Sequence, residues 1–114
     1  ITPKAETTRR FDTRFFVAAS PVGQTSHHDD NETVASMWVR PTEALERMAS
    51  GELALMPPTI ANLQFLAGHL DVQSVLVASK SIGTPPCILP KIRFVDGRVA
   101  GIAMPGDADY DSLD

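Results

Sequence analysis

Cysteine is almost missing from this chain: Cys87 is the single thiol in 114 residues. One thiol excludes an internal disulfide and is too little for a zinc site built on thiolates. Long hydrophobic runs are missing too, since none approaches the roughly 18 apolar residues a membrane-spanning helix requires. A charged-then-apolar leader pattern is not found in the sequence either. An excess of positive charge is likewise lacking. The ten Lys and Arg residues are scattered, only Arg9 and Arg10 are adjacent, and the net charge is −4. That balance argues against a general binder of nucleic acid or anionic membrane. No Gly-rich phosphate loop, Ser/His/Asp order or basic aromatic patch offers another enzyme class. The expectation is a cytoplasmic protein with neither nucleic-acid nor membrane partners.

What is present is ordinary for a folded protein. The apolar share is 43% and the charged share 21%, too apolar for a disordered chain and long enough for one domain or part of one. The most sharply patterned stretch is Arg10–Ala19, RFDTRFFVAA. Read as a strand, it sends Phe11, Thr13, Phe15, Val17 and Ala19 to one face. The other face carries Arg10, Asp12 and Arg14, then Phe16 and Ala18. Such a split face suits a central strand bordering a polar cleft in its first half and lying under a helix in its second.

A polar loop, SPVGQTSHHDDN, follows. Loops of this length inside compact domains are often functional. Glu32–Val39 alternates again and predicts a second strand, with Trp38 assigned to the core rather than to a base-stacking platform. Pro41 fits the first position of a helix, with Glu43 in its first turn, Ala44, Leu45 and Met48 inward, and Gly51 as the stop. Pro57 and Pro58 launch a second helix with Ile60, Leu63, Leu66, Ala67 and Leu70 inward. A short third helix follows Asp71 as N-cap, burying Val72, Val75 and Leu76. Near the end, Asp96-Gly97 between two β-prone runs predicts a hairpin. The acidic PGDADYDSLD reads as a tail or docked extension. These elements predict an α+β class, divided into residues 1–80 and a hairpin-plus-tail at 81–114.

Taken together, RRFDTRFFVAASPVGQ, the loop with DDNE, WVRPTEAL, GELALMPPT and the Leu-rich helix resemble the C-terminal half of a Nudix hydrolase. The resemblance is to the acyl-CoA diphosphatase-like branch, and Ile88–Tyr110 is similar to that branch's C-terminal extension. It implies an α/β/α sandwich with a mixed sheet. It also implies hydrolysis of the diphosphate bond in a nucleoside diphosphate linked to another moiety, with a CoA derivative the favoured class. Mg²⁺ or Mn²⁺ would assist water attack on phosphorus. The family's signature carboxylates sit in Arg-Glu and Glu-Glu pairs, however, and the five glutamates here (Glu6, Glu32, Glu43, Glu46, Glu52) form neither. With Ile1 as first residue, the expectation is a portion of a longer enzyme. Its upstream half would carry the metal, and this chain alone would be inactive and hold none. That half and the nucleotide-diphosphate substrate are the expected partners, and a homodimer is open to it. The alternative is a non-catalytic interaction module that pairs through exposed strand edges.

The candidate substrate-binding residues are Arg10, Asp12, Arg14 and Glu32; no catalytic or metal-ligating residue is assigned. The three on the strand would lie about 7 Å apart along one face, with an arginine fork on substrate phosphate. The competing reading pairs Asp12 with one or both arginines on a solvated face. Glu32 could act beside the site as a base or ligand, or be a plain solvated carboxylate. His27–His28 lacks a spaced partner for a metal, and His69 reads as a surface residue or a helix-end dipole partner. Asp107, Asp109 and Asp111 match the first positions of a calcium loop, but Ser112 stands where glycine is needed and no Glu closes it. Cys87 reads as a buried structural thiol.

Overall fold

The computed structural model describes residues 1–3, 9–25, 31 and 35–113. Contacts divide the chain into two units, Ile1–Phe16 with Thr84–Asp114, and Val17–Gly83.

The second of these is helical. Pro41 opens α1 (Pro41–Ala49), where its missing N–H costs nothing because the first-turn donors have no intrahelical acceptor. Glu43 lies at the positive end of the helix dipole and Arg47 at the negative end. The two also pair one turn apart, Arg47 Nη2 to Glu43 Oε1 at 2.5 Å. Ser50 is the C-cap and Gly51 follows with φ 81°, a left-handed conformation that favours glycine. The Gly51 N–H then donates to Met48 O and the Glu52 N–H to Arg47 O, at 3.0 and 2.9 Å. This double closure satisfies the last carbonyls of the helix.

Pro57 starts α2 (Pro57–Ala67), which packs against α1, and Ala44 is the buried residue of α1. Ile60, Leu63, Leu66 and Ala67 are half-buried, as their spacing predicts. Leu70 is not: the helix ends at Ala67, so the stripe stops before it and its side chain is exposed. Gly68 closes the helix in right-handed geometry, φ −73°.

Asp71 caps α3 (Val72–Ser81) as predicted. Its Oδ1 accepts from the Ser74 N–H at 2.7 Å, and its own N–H donates back to Ser74 Oγ at 3.4 Å. Ser74 thus fills the role that Glu or Gln takes in the common version of this reciprocal cap. Val75 is the buried anchor of α3 and Leu76 is half-buried, whereas Val72 is exposed. The Ser74 N–H holds the Asp71 carboxyl below its ordinary range. The cap's contribution is therefore present above the ordinary aspartate value and is lost as pH falls through the lowered folded one. Asp71→Ala is expected to remove roughly one turn of helical ellipticity. Asp71→Asn should retain much of the signal without the acid-side loss. An Asp71→Ala spectrum identical to the parent's would refute the cap's role.

The other unit is built on a hairpin, β1 (Lys91–Val95) and β2 (Arg98–Ala103), joined by Asp96-Gly97. Both turn residues have positive φ, 51° and 73°, the geometry whose twist matches that of paired strands. Lys91 faces Ala103 and Arg93 faces Gly101, but Phe94 faces Val99, so Ala100 is an extra residue on β2. Ala103 is fully buried.

Three helices and a two-stranded antiparallel sheet make the α+β class. The two predicted central strands are corrected: residues 9–21 and 35–39 lie in neither helix nor strand. Alternation specifies which side chains would share a face, but a strand also needs a neighbour for its backbone groups. Among the described residues the only sheet is the hairpin, so neither stretch has a ladder partner and no mixed sheet forms. Residues 32–34 lie outside the described set. No helix of the described residues is long and apolar enough to cross a membrane.

Candidate functional site

Arg10, Asp12 and Arg14 are exposed on the extended stretch after Arg9. Thr2 and Phe11 clasp its start: the Thr2 N–H donates to Phe11 O at 2.8 Å, and the Phe11 N–H to Thr2 Oγ1 at 3.0 Å. Arg10 is drawn into the same clasp through Nε on Thr2 O, 3.0 Å. Its guanidinium thus tethers the backbone, a task that no local pattern around Arg10 announces. Asp12 does not pair with either arginine, and neither Asp12 nor Arg14 makes a hydrogen bond or ion pair among the described residues. Arg14 is left as an uncommitted fork with Phe15 and the 91% exposed Phe16 beside it. Glu32, His27, His28, Asp29 and Asp30 lie outside the described residues.

The densest polar cluster was not among the predicted site residues. Arg93, at the centre of β1, grips Asp109 with two parallel bonds, Nε to Oδ2 at 2.7 Å and Nη2 to Oδ1 at 2.8 Å. Nη2 also reaches Asp107 Oδ2 at 2.7 Å, and Nη1 donates to Ile102 O. Asp107 Oδ2 in turn accepts from the Met104 N–H at 3.0 Å. Lys91 Nζ donates to Tyr110 O and Leu113 O, 2.9 and 2.7 Å, and sits 4.5 Å from the centre of the Tyr110 ring. The Tyr110 hydroxyl donates to Leu89 O at 2.6 Å. The Met104 N–H and the Arg93 fork depress Asp107, in that order, and the fork is the main cause of the fall in Asp109. Arg93 is raised by the two carboxylates and stays charged.

The acidic end is therefore a docked extension, folded back on the hairpin by two cations of β1. Its carboxylates accept from arginine, and that explains the PGDADY spacing without calcium. One signal for it was legible: Lys91 and Arg93 alternate on a strand that an aspartate pair follows after a tight turn.

Two further readings are corrected. Cys87 is exposed, not buried, because it precedes β1 in an irregular proline-flanked segment with nothing packed over it. Trp38 is 73% exposed rather than in the core, since the strand that would have buried it does not form. His69 packs its ring edge-on to Phe65, centroids 5.1 Å apart.

A divalent cation would need several oxygen or imidazole ligands at one place. Among the described residues no three His, Cys, Asp or Glu side chains come together, so none of them fits that role.

The described residues thus define a small α+β protein with an uncommitted arginine fork and a closed hairpin clasp. Over 69 residues the chain is 39% identical to acyl-coenzyme A diphosphatase NUDT19 of Homo sapiens, a span of 60% of this chain and 18% of that protein. The match agrees with the Nudix-type resemblance while covering under a fifth of the relative's length. No family model and no solved structure matches the chain.

Proposed function

We propose that this chain is a portion of a Nudix-type hydrolase that cleaves the diphosphate bond of a nucleotide-like substrate, an acyl-CoA by preference. The identity to an acyl-CoA diphosphatase carries the reading. Exposed, uncommitted Arg14 supports it, because a planar guanidinium matches two phosphate oxygens at once. In this reading Arg14 steadies the substrate's diphosphate, with Asp12 on the same stretch and Arg10 holding the segment to Thr2. Mg²⁺ or Mn²⁺ would be bound by carboxylates outside the described residues and would neutralise charge on the diphosphate.

The test is the complete product of the reading frame that contains this chain, assayed with acyl-CoA and Mg²⁺ for diphosphate cleavage. Turnover is expected, and Arg14→Ala should lower kcat/KM about tenfold with the fold intact. The chain of 114 residues by itself should show none. Unchanged efficiency in Arg14→Ala would remove the phosphate contact, and robust turnover by the short chain would remove the division of labour.

Exposed Phe11, Phe15 and Phe16, contiguous with backbone that pairs with no strand, favour a second reading as an interaction module. Concentration-dependent association on sedimentation, abolished by Phe15→Asp, would support it. A monomer at every concentration would count against it.

A further inference from the structure

The segment 104–113 reaches the hairpin through one tight turn. Pro105 and Gly106 are its central residues, and the Asp107 N–H closes it on Met104 O at 3.0 Å. Proline first and a glycine with φ 101° second is the pattern of a type II turn. A second lock runs the other way, from the Met104 N–H to Asp107 Oδ2 at 3.0 Å. Beyond the turn, the side-chain bonds that seat the segment end on β1 or its lead-in. Arg93 holds Asp107 and Asp109, Lys91 holds Tyr110 O and Leu113 O, and the Tyr110 hydroxyl donates to Leu89 O. None of these bonds requires both sides to belong to one chain, so the turn alone decides which hairpin receives the segment. With Gly106 extended instead, residues 104–106 span roughly 10 Å and carry the segment past its own β1.

We propose that the segment 104–113 exchanges between two copies of this chain, each seating residues 107–110 on the other's Lys91 and Arg93, with Gly106 as the hinge. The partner is a second copy because the grip is already matched to this segment. The planar fork of Arg93 takes both oxygens of Asp109, and Lys91 lies over the Tyr110 ring. Exchange conserves each of these bonds and closes a symmetric pair. It changes only the turn conformation and the entropy of joining two chains. A tether of a few residues holds its ligand at an effective concentration in the millimolar range, so the native turn keeps the chain monomeric below about that concentration. A side chain at Gly106 moves the balance. A Cβ there would meet nothing within 4 Å, so substitution acts on backbone conformation and not on packing. A β-branched residue is strained at φ 101° and at ease in extended backbone. The exchange stands apart from the diphosphatase reading and from the phenylalanine patch.

The test is sedimentation of Gly106→Val beside the native chain. Two turns open per dimer, each favoured about tenfold by the substitution, so dimerisation should tighten about a hundredfold, from the millimolar range to about ten micromolar. At about 100 μM the native chain should then be a monomer and the variant a dimer, with amide protection at Tyr110 and Leu113 retained in the variant. Adding Arg93→Ala to Gly106→Val should return it to a monomer, whereas adding Phe15→Asp should not. A monomeric Gly106→Val, with its clasp open or closed, overturns the proposal, and so does a dimer that survives Arg93→Ala. Charge reversal supplies an independent arm. Arg93→Glu and the double variant Asp107→Lys/Asp109→Lys each lose the clasp within a chain, and mixing them should give a heterodimer with both clasps restored between chains. Chains that stay apart on mixing overturn the exchange as well.

Discussion

Replacing Arg93 with alanine is expected to free the segment from Met104 onward, with amide protection at Asp107, Tyr110, Ser112 and Leu113 falling about tenfold or more. The reason is the number of acceptors that converge on one guanidinium. Arg93 bridges Ile102 O, Asp107 and Asp109, and Asp107 passes the restraint on to the Met104 N–H. Its side chain is only one-third exposed, so these bonds are less screened than those of a fully solvated pair. Removing the cation would also leave two mutually repelling carboxylates, two residues apart, without compensation. Arg93→Lys should recover less than half of the lost protection, because an ammonium is a point charge and cannot span three acceptors in a plane. Acid should imitate the alanine variant. Asp107 and Asp109 titrate below their ordinary value of 3.8, so the clasp is fully formed above it and loosens as pH falls through the lowered values. Exchange rates that ignore both the substitution and the acid would show that the clasp contributes nothing to order.

Ala44→Asp should be the most damaging single change in the helical unit. Ala44 is 3% exposed on α1, the helix that packs on α2, and no polar side chain is buried among the described residues to receive a carboxylate. An unpaired carboxylate there would cost about 3 kcal/mol or more, by desolvation or by forced protonation. That is a large share of the stability of a small unit with so few buried side chains. Loss of most of the ellipticity of α1 and α2 at neutral pH is expected, with partial recovery in acid as the carboxyl becomes neutral. Ala44→Ser should cost far less. A variant carrying aspartate that melted like the parent would mean that the two helices do not depend on that contact.

Local chemistry was legible in this chain where a residue acts on its own neighbours. Pro41, Gly51 and Pro57 mark helix ends through backbone geometry that needs no partner. Asp71 supplies its cap three residues away, and Asp96-Gly97 fixes a turn by its own dihedrals. What depends on something distant was less legible. Arg10–Ala19 alternates as a strand should, but alternation says nothing about whether an edge exists to receive it. Residue type places Trp38 and Cys87 in the interior, and their exposure follows from the lack of a ladder over their segments among the described residues. Of the candidate site, Arg14 could be named from its place in the pattern. The tether on Arg10 required knowing that Thr2 returns to Phe11, and the grip of Arg93 required a register between β1 and the end of the chain.

Consider the spare residue in β2. The hairpin is fixed at its tip by the Asp96-Gly97 turn and at its middle by Arg93 and its aspartates, and Ala100 lies between those two fastenings. A bulge can take up a change in chain length with only a local adjustment. Between Val95 and Arg98 a one-residue change has no such outlet and would turn every side chain of one strand to the opposite face. Insertions and deletions drifting through this hairpin over evolutionary time should therefore collect beside Ala100 and be purged from the turn.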